Sequence, residues 1–457
     1  MSLSGRISLI KTNILPRVNF YASMLPLPTP PAFWDRIQSL ISDFLWHGER
    51  PRIRTSILLQ PNNVGGLGLP DLKMYYLSFM TRPLQNWLSL NRNPPWLEIE
   101  RNIAHPYKLE NILFSAVPSK GLPKLGPIIT HAIHSWYQIE ILLKWDSPWH
   151  TQTPLFRNNN FKLGNKPIIF PRWSEQGINN FSDLMDKDGL RSFTDLKETY
   201  NLPGSSLFFY FQIRTAMKTY GVPWGTPLPS HPLVKVFKHK GSKGLVSTIY
   251  KNILESVRTP MGITTVWNVD LPHQQINWKR VWDSIHISSR NVNLQLMHFK
   301  LIHRFYLTPR KRCQLQLSPT PICSLCNTKS IGTYLHMMWE CPPVNTFWSQ
   351  VSASISNILQ THIDCTPNLL LLNDDSLLNF SFIQRKLWLA GLTAAKRILI
   401  MRWKPPHSLN INKWLLGFLD VLSLELSIAR TKNAKASTIE AYSKTITRAK
   451  QLYLSQS

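Results

Sequence analysis

Residues 323–341 read Cys323-Ser-Leu-Cys326-Asn-Thr-Lys-Ser-Ile-Gly-Thr-Tyr-Leu-His336-Met-Met-Trp-Glu-Cys341. Two cysteines stand two residues apart. A histidine follows after nine residues and a cysteine after four more. This is the spacing of a Cys3His zinc set. The short first gap lets both thiolates face one ion across a tight turn. Residues 334–341 read as a helical turn that places His336 and Cys341 on one side. Three thiolates and a neutral imidazole fill a tetrahedral shell, so one Zn2+ would be structural, with no open position for catalysis. Four unrelated buried side chains are the plainer alternative. Three of the chain's five cysteines fall in this window, which argues against it. Cys313 and Cys365 stand outside and read as ordinary buried thiols.

The approach to this window is basic. Arg310, Lys311 and Arg312 lead into it. Leu294, Met297, Leu301 and Phe305 mark a helix, and Lys300 and Arg304, four apart, should project from one side of it. Lys235, Lys238, Lys240 and Lys243 cluster around Gly241 and Gly244. Arg50, Arg52 and Arg54 alternate in a loop, and a basic tail carries Lys432, Lys435, Lys444, Arg448 and Lys450. The whole chain holds 52 Lys and Arg against 25 Asp and Glu, a formal charge of +27. A charge run is usually a solvated face. Runs that flank a zinc pattern and aromatics point instead to nucleic acid, held through its phosphates, and less to an anionic membrane.

A chain of 457 residues accommodates two to four domains. Its 34 prolines imply numerous, irregularly joined helices. The fold should be mainly α, an irregular multi-helix assembly with a small zinc-stapled lobe. Ile7, Ile10 and Ile14 recur at helical spacing, and Pro16 should stop them. Thr29 can cap a second helix with Pro30 at its first position, burying Phe33, Trp34, Ile37, Leu40, Ile41, Phe44 and Leu45 and ending near Trp46-His47-Gly48. Gly65-Gly66-Leu-Gly68-Leu-Pro-Asp71 reads as a tight turn that starts a helix at Asp71. Residues 91–230 read as short helices joined by long loops. Phe181-Ser-Asp-Leu184 and Phe193-Thr-Asp-Leu196 form a small echo of capped helices. Long helices should return at 344–358, 381–403 and 411–430. The apolar run 387–403 is broken by Lys396, Arg397 and Arg402, so it reads as a buried helix and not a membrane span.

Catalytic signatures are scarce. A polymerase or nuclease needs clustered carboxylates to hold two magnesium ions. Asp374-Asp375 is the one adjacent acidic pair. It lies between apolar runs and reads as a loop and helix cap. There is no phosphate-cradling glycine loop followed by lysine, and no spacing that marks a triad. Cysteine usage and the lack of a signal-peptide core at the first residues point to an intracellular protein.

Several stretches resemble one known family. Gly5-Arg-Ile-Ser-Leu-Ile-Lys-Thr-Asn-Ile-Leu-Pro16-Arg17, Phe44-Leu-Trp-His-Gly48 and the 65–71 turn are similar to the thumb that follows the reverse-transcriptase palm in the second open reading frame protein of vertebrate long interspersed elements, which are non-LTR retrotransposons. Phe161-Lys-Leu-Gly164-Asn-Lys-Pro167 and Trp173 resemble that family's wrist. Cys323, Cys326, His336 and Cys341 match its carboxy-terminal Cys-Cys-His-Cys motif. The resemblance runs through most of the chain, and the family's endonuclease, fingers and palm have no counterpart here. It implies four segments: a thumb-like 1–90, a wrist-like 91–260, a basic helix and zinc lobe at 261–360, and carboxy-terminal helices with the basic tail at 361–457. It also implies a non-catalytic, RNA-binding remnant with the element transcript as partner, or a template–primer duplex or target DNA, in a cytoplasmic ribonucleoprotein or the nucleus. Two other readings stand beside it: an active RNA-directed DNA polymerase completed by an upstream palm, and a decayed reading frame without function.

Overall fold

The computed structural model describes residues 1–25, 28–88, 94–109, 111–115, 122–145, 147, 149–239, 243–258, 262–401 and 409–456. The chain is mainly α-helical, with two small antiparallel hairpins among the described residues. It divides into two compact units. Met1–Ile10, Ser39–Leu69 and Thr259–Ser457 form the first, and Lys11–Gln38 with Pro70–Arg258 form the second. Segments 261–360 and 361–457 share the first unit with part of 1–90, because their apolar faces close a single core that includes Leu3, Phe299, Trp348, Trp388 and Trp414.

Pro16 does not stop the first helix. Leu3–Leu9 passes through a π turn, Ile10–Ile14, into Leu15–Met24, and Pro16 sits in the first turn of that continuation. Proline crowds the carbonyl four residues back. The wider π turn immediately before it relieves that crowding. Ile7 and Ile10 are buried and Ile14 is exposed. The next helix, Pro31–Trp46, begins one residue later than expected and ends where expected, at His47 and Gly48, both with positive φ. Thr29 Oγ1 accepts a hydrogen bond from Trp34 Nε1 at 2.8 Å. Trp34 and Leu45 are buried and Ile37 and Ile41 half-buried, but Phe33, Leu40 and Phe44 are exposed. The apolar stripe of this helix is wider than the face its neighbours cover. Arg6, itself buried, donates from Nη1 to Leu45 O at 2.5 Å. It thereby satisfies a carbonyl at the negative end of the helix.

The glycine turn behaves as read. Gly65 has φ +91°, and a Cβ there would meet the Trp282 ring at 2.8 Å. Asp71 Oδ1 accepts from Met74 N at 3.0 Å and so caps Leu72–Met80. Trp282 stacks on His303, whose Nε2–H donates to Gly65 O at 2.8 Å. Burial pushes the His303 pKa down to about 4. An unfolded histidine titrates near 6.5, so the unfolded chain takes up the proton first and acid favours it. His303 therefore costs the fold nothing above pH 6.5 and destabilises it progressively down to about pH 4, by on the order of 3 kcal/mol. His303→Gln, which keeps a donor, should flatten the loss of urea stability between pH 6.5 and pH 4. A variant as acid-sensitive as the parent would assign the loss to other groups.

Pro342–Leu359, Phe382–Met401 and Ile411–Thr431 supply the long helices expected after the zinc pattern. Gly391 lets two of them approach closely, since a Cβ there would lie 2.8 Å from Ile355 Cδ1. The stretch from Leu387 is buried as read, and among the described residues no helix is long and apolar enough to cross a membrane. Arg402 lies outside the described residues. Lys396 is 1% exposed, with its Nζ bonded to Asn373 Oδ1 and 3.2 Å from His298 Nε2. Asp374-Asp375 forms the expected loop, but neither aspartate caps a helix. Asp374 Oδ2 accepts from Asn277 N at 2.7 Å, and Asp375 Oδ2 pairs with Arg385 Nε at 2.6 Å. Two further expectations fail. The basic tail is a helix, Ala436–Gln456, that buries Tyr442, Thr445 and Ala449. Cys365 is exposed and Cys313 half-buried.

In the second unit, Gly126–Leu143 is longer than the short helices expected there. The two echoed helices are present as Phe181–Leu184 and Phe193–Tyr200. Their aspartates act at the third position, not as caps: Asp183 Oδ2 accepts from Asn180 N at 2.8 Å, and Ser192 caps the second helix.

Candidate metal centre and basic groove

Cys323, Cys326, His336 and Cys341 come together, with one ligand atom from each lying within 4.8 Å of all the others. The first pair sits on a loop closed by a bridge between Ile322 and Ile331 and by Cys323 N donating to Ser330 O at 2.9 Å. Leu325 N points back to Cys323 Sγ at 3.4 Å, as a tight turn between two ligands requires. The second pair is set by a π turn, His336–Glu340, in which Cys341 N donates to His336 O at 2.9 Å. A π turn brings residues five apart onto one side, whereas an α turn would rotate Cys341 away. Thr333 Oγ1 accepts from His336 N at 3.0 Å and fixes the start of that turn. Tyr334 OH donates to Leu301 O at 2.7 Å and ties it to the core.

The donors lie close enough to perturb one another's protonation. Burial pushes the Cys341 thiol up to about 12, and its neighbours Cys323 and Cys326 add to the rise. Burial also raises Cys326, but hydrogen bonds from Thr328 and His336 outweigh it and bring the thiol down to about 6. Three thiolates this close repel one another, and a divalent ion among them removes the repulsion. These four residues could hold one metal ion.

The basic residues divide into groups. A groove of about 1100 Å³ in the first unit is lined by Arg50, Arg52, Arg310 and Lys311, with Phe305, Tyr306 and Tyr334 among its walls. Arg304 lines it too, paired with Asp270, and Glu49 and Glu340 also border it. Arg310 and Lys311 stand on the helix Pro309–Gln314, capped by Thr308. That helix is seated on the metal-ligand loop, since Arg310 N donates to Gly332 O at 3.2 Å and a Cβ on Gly332 would lie 2.7 Å from Pro309. Arg52 lies over the Phe305 ring at 5.1 Å and Lys300 over the same ring at 4.7 Å. Burial, and then the Arg52 charge, lower the Lys300 pKa.

Arg304 does not share a helical face with Lys300. The helix Val292–Ile302 has ended, and Arg304 adopts φ +51°. Its guanidinium lies over Trp267 at 4.0 Å and pairs with Asp270 at 2.6 Å, which makes it a structural cation. Arg54 and Arg312 are exposed but do not line the groove. Lys235 and Lys243 are exposed in the second unit, while Lys240 and the Lys238 side chain lie outside the described residues. Sequence reading missed the aromatic wall of the groove. Phe305 and Tyr306 follow a helix whose apolar spacing made Phe305 look like core. No protein-family model matches the chain.

Proposed function

We propose that the chain is a non-catalytic nucleic-acid-binding segment whose Cys-Cys-His-Cys lobe holds one structural zinc. Zinc is the metal that three thiolates and one imidazole in a closed shell select. The observation that carries the binding function is the groove. Two basic clusters some 260 positions apart in sequence, Arg50 with Arg52 and Arg310 with Lys311, face one concavity beside the metal lobe. Such a groove suits a phosphate backbone with bases against its aromatic wall. The motifs similar to those of long interspersed elements favour element RNA as the ligand, with a template–primer duplex or target DNA as further partners. They favour a ribonucleoprotein in the cytoplasm or nucleus as its setting. The chain would then be the thumb, wrist and zinc region of a reverse-transcriptase protein. Burial of Asp374 and Asp375 against Asn277 and Arg385 supports a role without polymerase chemistry.

Affinity for single-stranded RNA should fall steeply with salt and depend weakly on sequence, because each neutralised phosphate releases a counterion and contributes about 0.7 to the log–log slope. A salt titration decides the matter. A flat response would mean that the charge serves another purpose, and robust primer extension by this chain alone would overturn the non-catalytic reading.

A further inference from the structure

The helix Leu207–Thr219 packs inward through Ile213, Ala216 and Met217. At about 100° per residue, Leu207, Phe208, Phe211, Arg214 and Lys218 all fall on its opposite face. That face is open: Phe208 is 65% and Phe211 49% exposed. At its far end the Arg214 guanidinium lies over the Trp224 ring, 5.0 Å from the centroid. Trp224 is held in place by its carbonyl, which accepts from Leu190 N at 2.8 Å. Residues 199–225 contain no Asp or Glu. Two phenyl rings and two cations are thus presented along one helix, with Trp224 from the following loop against Arg214.

We propose that this stripe is a second nucleic-acid contact, in which unpaired bases of a single strand stack on Phe208 and Phe211 while Arg214 and Lys218 neutralise the adjoining phosphates. Charge decides the occupant. An apolar protein surface would cover the rings but leave two cations facing it, whereas a polyanion carrying flat apolar bases answers both features. A duplex keeps its bases stacked within itself, so the strand must be single. The proposal rests on the nucleic-acid reading above, but it uses other residues in the other unit and fails separately from it.

The test is fluorescence anisotropy of the full chain with a labelled oligouridylate and an abasic oligonucleotide of equal length. Phe208→Leu/Phe211→Leu keeps the face apolar and removes the rings. It should weaken oligouridylate binding by about tenfold or more, the scale of lost stacking. It should leave the abasic strand and the salt slope unchanged, and Phe208→Trp/Phe211→Trp should retain affinity. Leucine variants that bind oligouridylate like the parent overturn the stripe as a stacking site, as does an equal loss for the abasic strand. They leave the groove standing. A parent chain that binds neither oligonucleotide overturns both.

Discussion

Replacing Cys326 with serine should empty the metal site and unfold the loop between Pro321 and Gly332. Purified parent protein should carry about one zinc per chain, as a closed four-donor set requires. The reason for so large an effect is that, apart from the metal, a few hydrogen bonds, Arg310 N to Gly332 O from the adjoining helix among them, hold the loop. Its backbone is closed by the Ile322–Ile331 bridge, by Cys323 N to Ser330 O and by Gly332 N to Pro321 O. Each such bond is worth about 1 kcal/mol net. Zinc binding to peptides of this kind corresponds to about 10–16 kcal/mol, and that binding energy is folding energy. Cys326 is the ligand to replace because it is the least buried of the three cysteines, so serine there leaves no large cavity. The far side should survive, since Cys341 and Met338 are fully enclosed in the core of the first unit. Trypsin cleavage at Lys329, slow in the parent, should become fast in the variant and in chelator-treated parent. Undiminished zinc in the variant would reject the ligand assignment.

The metal site was legible because its chemistry fixes spacing. So was the 65–71 turn, where a glycine must have positive φ against Trp282 and an aspartate must cap the helix that follows. Local rules failed where a neighbour distant in sequence decides. Pro16 ends a helix by local steric rules, yet a π turn beside it carries the helix through. The spacing of Phe33, Leu40 and Phe44 says apolar, but no spacing says whether another element covers them. Arg304 looked like a surface cation four residues after Lys300. Its capture by Asp270 and Trp267 depends on a helix end that lies two residues earlier, at Ile302. Ile439, Tyr442, Ile446, Ala449 and Tyr453 follow a three-four repeat, the seam of a packed helix. Interleaved lysines made the same residues read as a tail.

Those last two corrections set the comparison that best locates the RNA. Alanine at Arg50, Arg52, Arg310 and Lys311 removes four charges from the groove. Alanine at Lys432, Lys435, Lys444 and Lys450 removes four from the carboxy-terminal helix and the turn that leads into it. Arg304 is left in place because losing its pair with Asp270 would damage the fold. Arg448 is spared because it donates to Ile358 O at 3.2 Å and Gln360 Oε1 at 2.9 Å. The two variants therefore differ in where charge is lost and not in how much. The tail lysines are exposed, and Lys444 is already paired with Glu440 at 2.7 Å. The groove cations converge on one cavity, where a strand could meet several at once. Four lost phosphate contacts on a single strand should lower the log–log salt slope by about 3 and weaken binding by on the order of 100-fold at moderate salt. The tail variant should change the slope by less than about 1 on the same scale. Equal losses would mean that RNA responds to net charge wherever it lies, and a larger loss from the tail would refute the groove as the main contact.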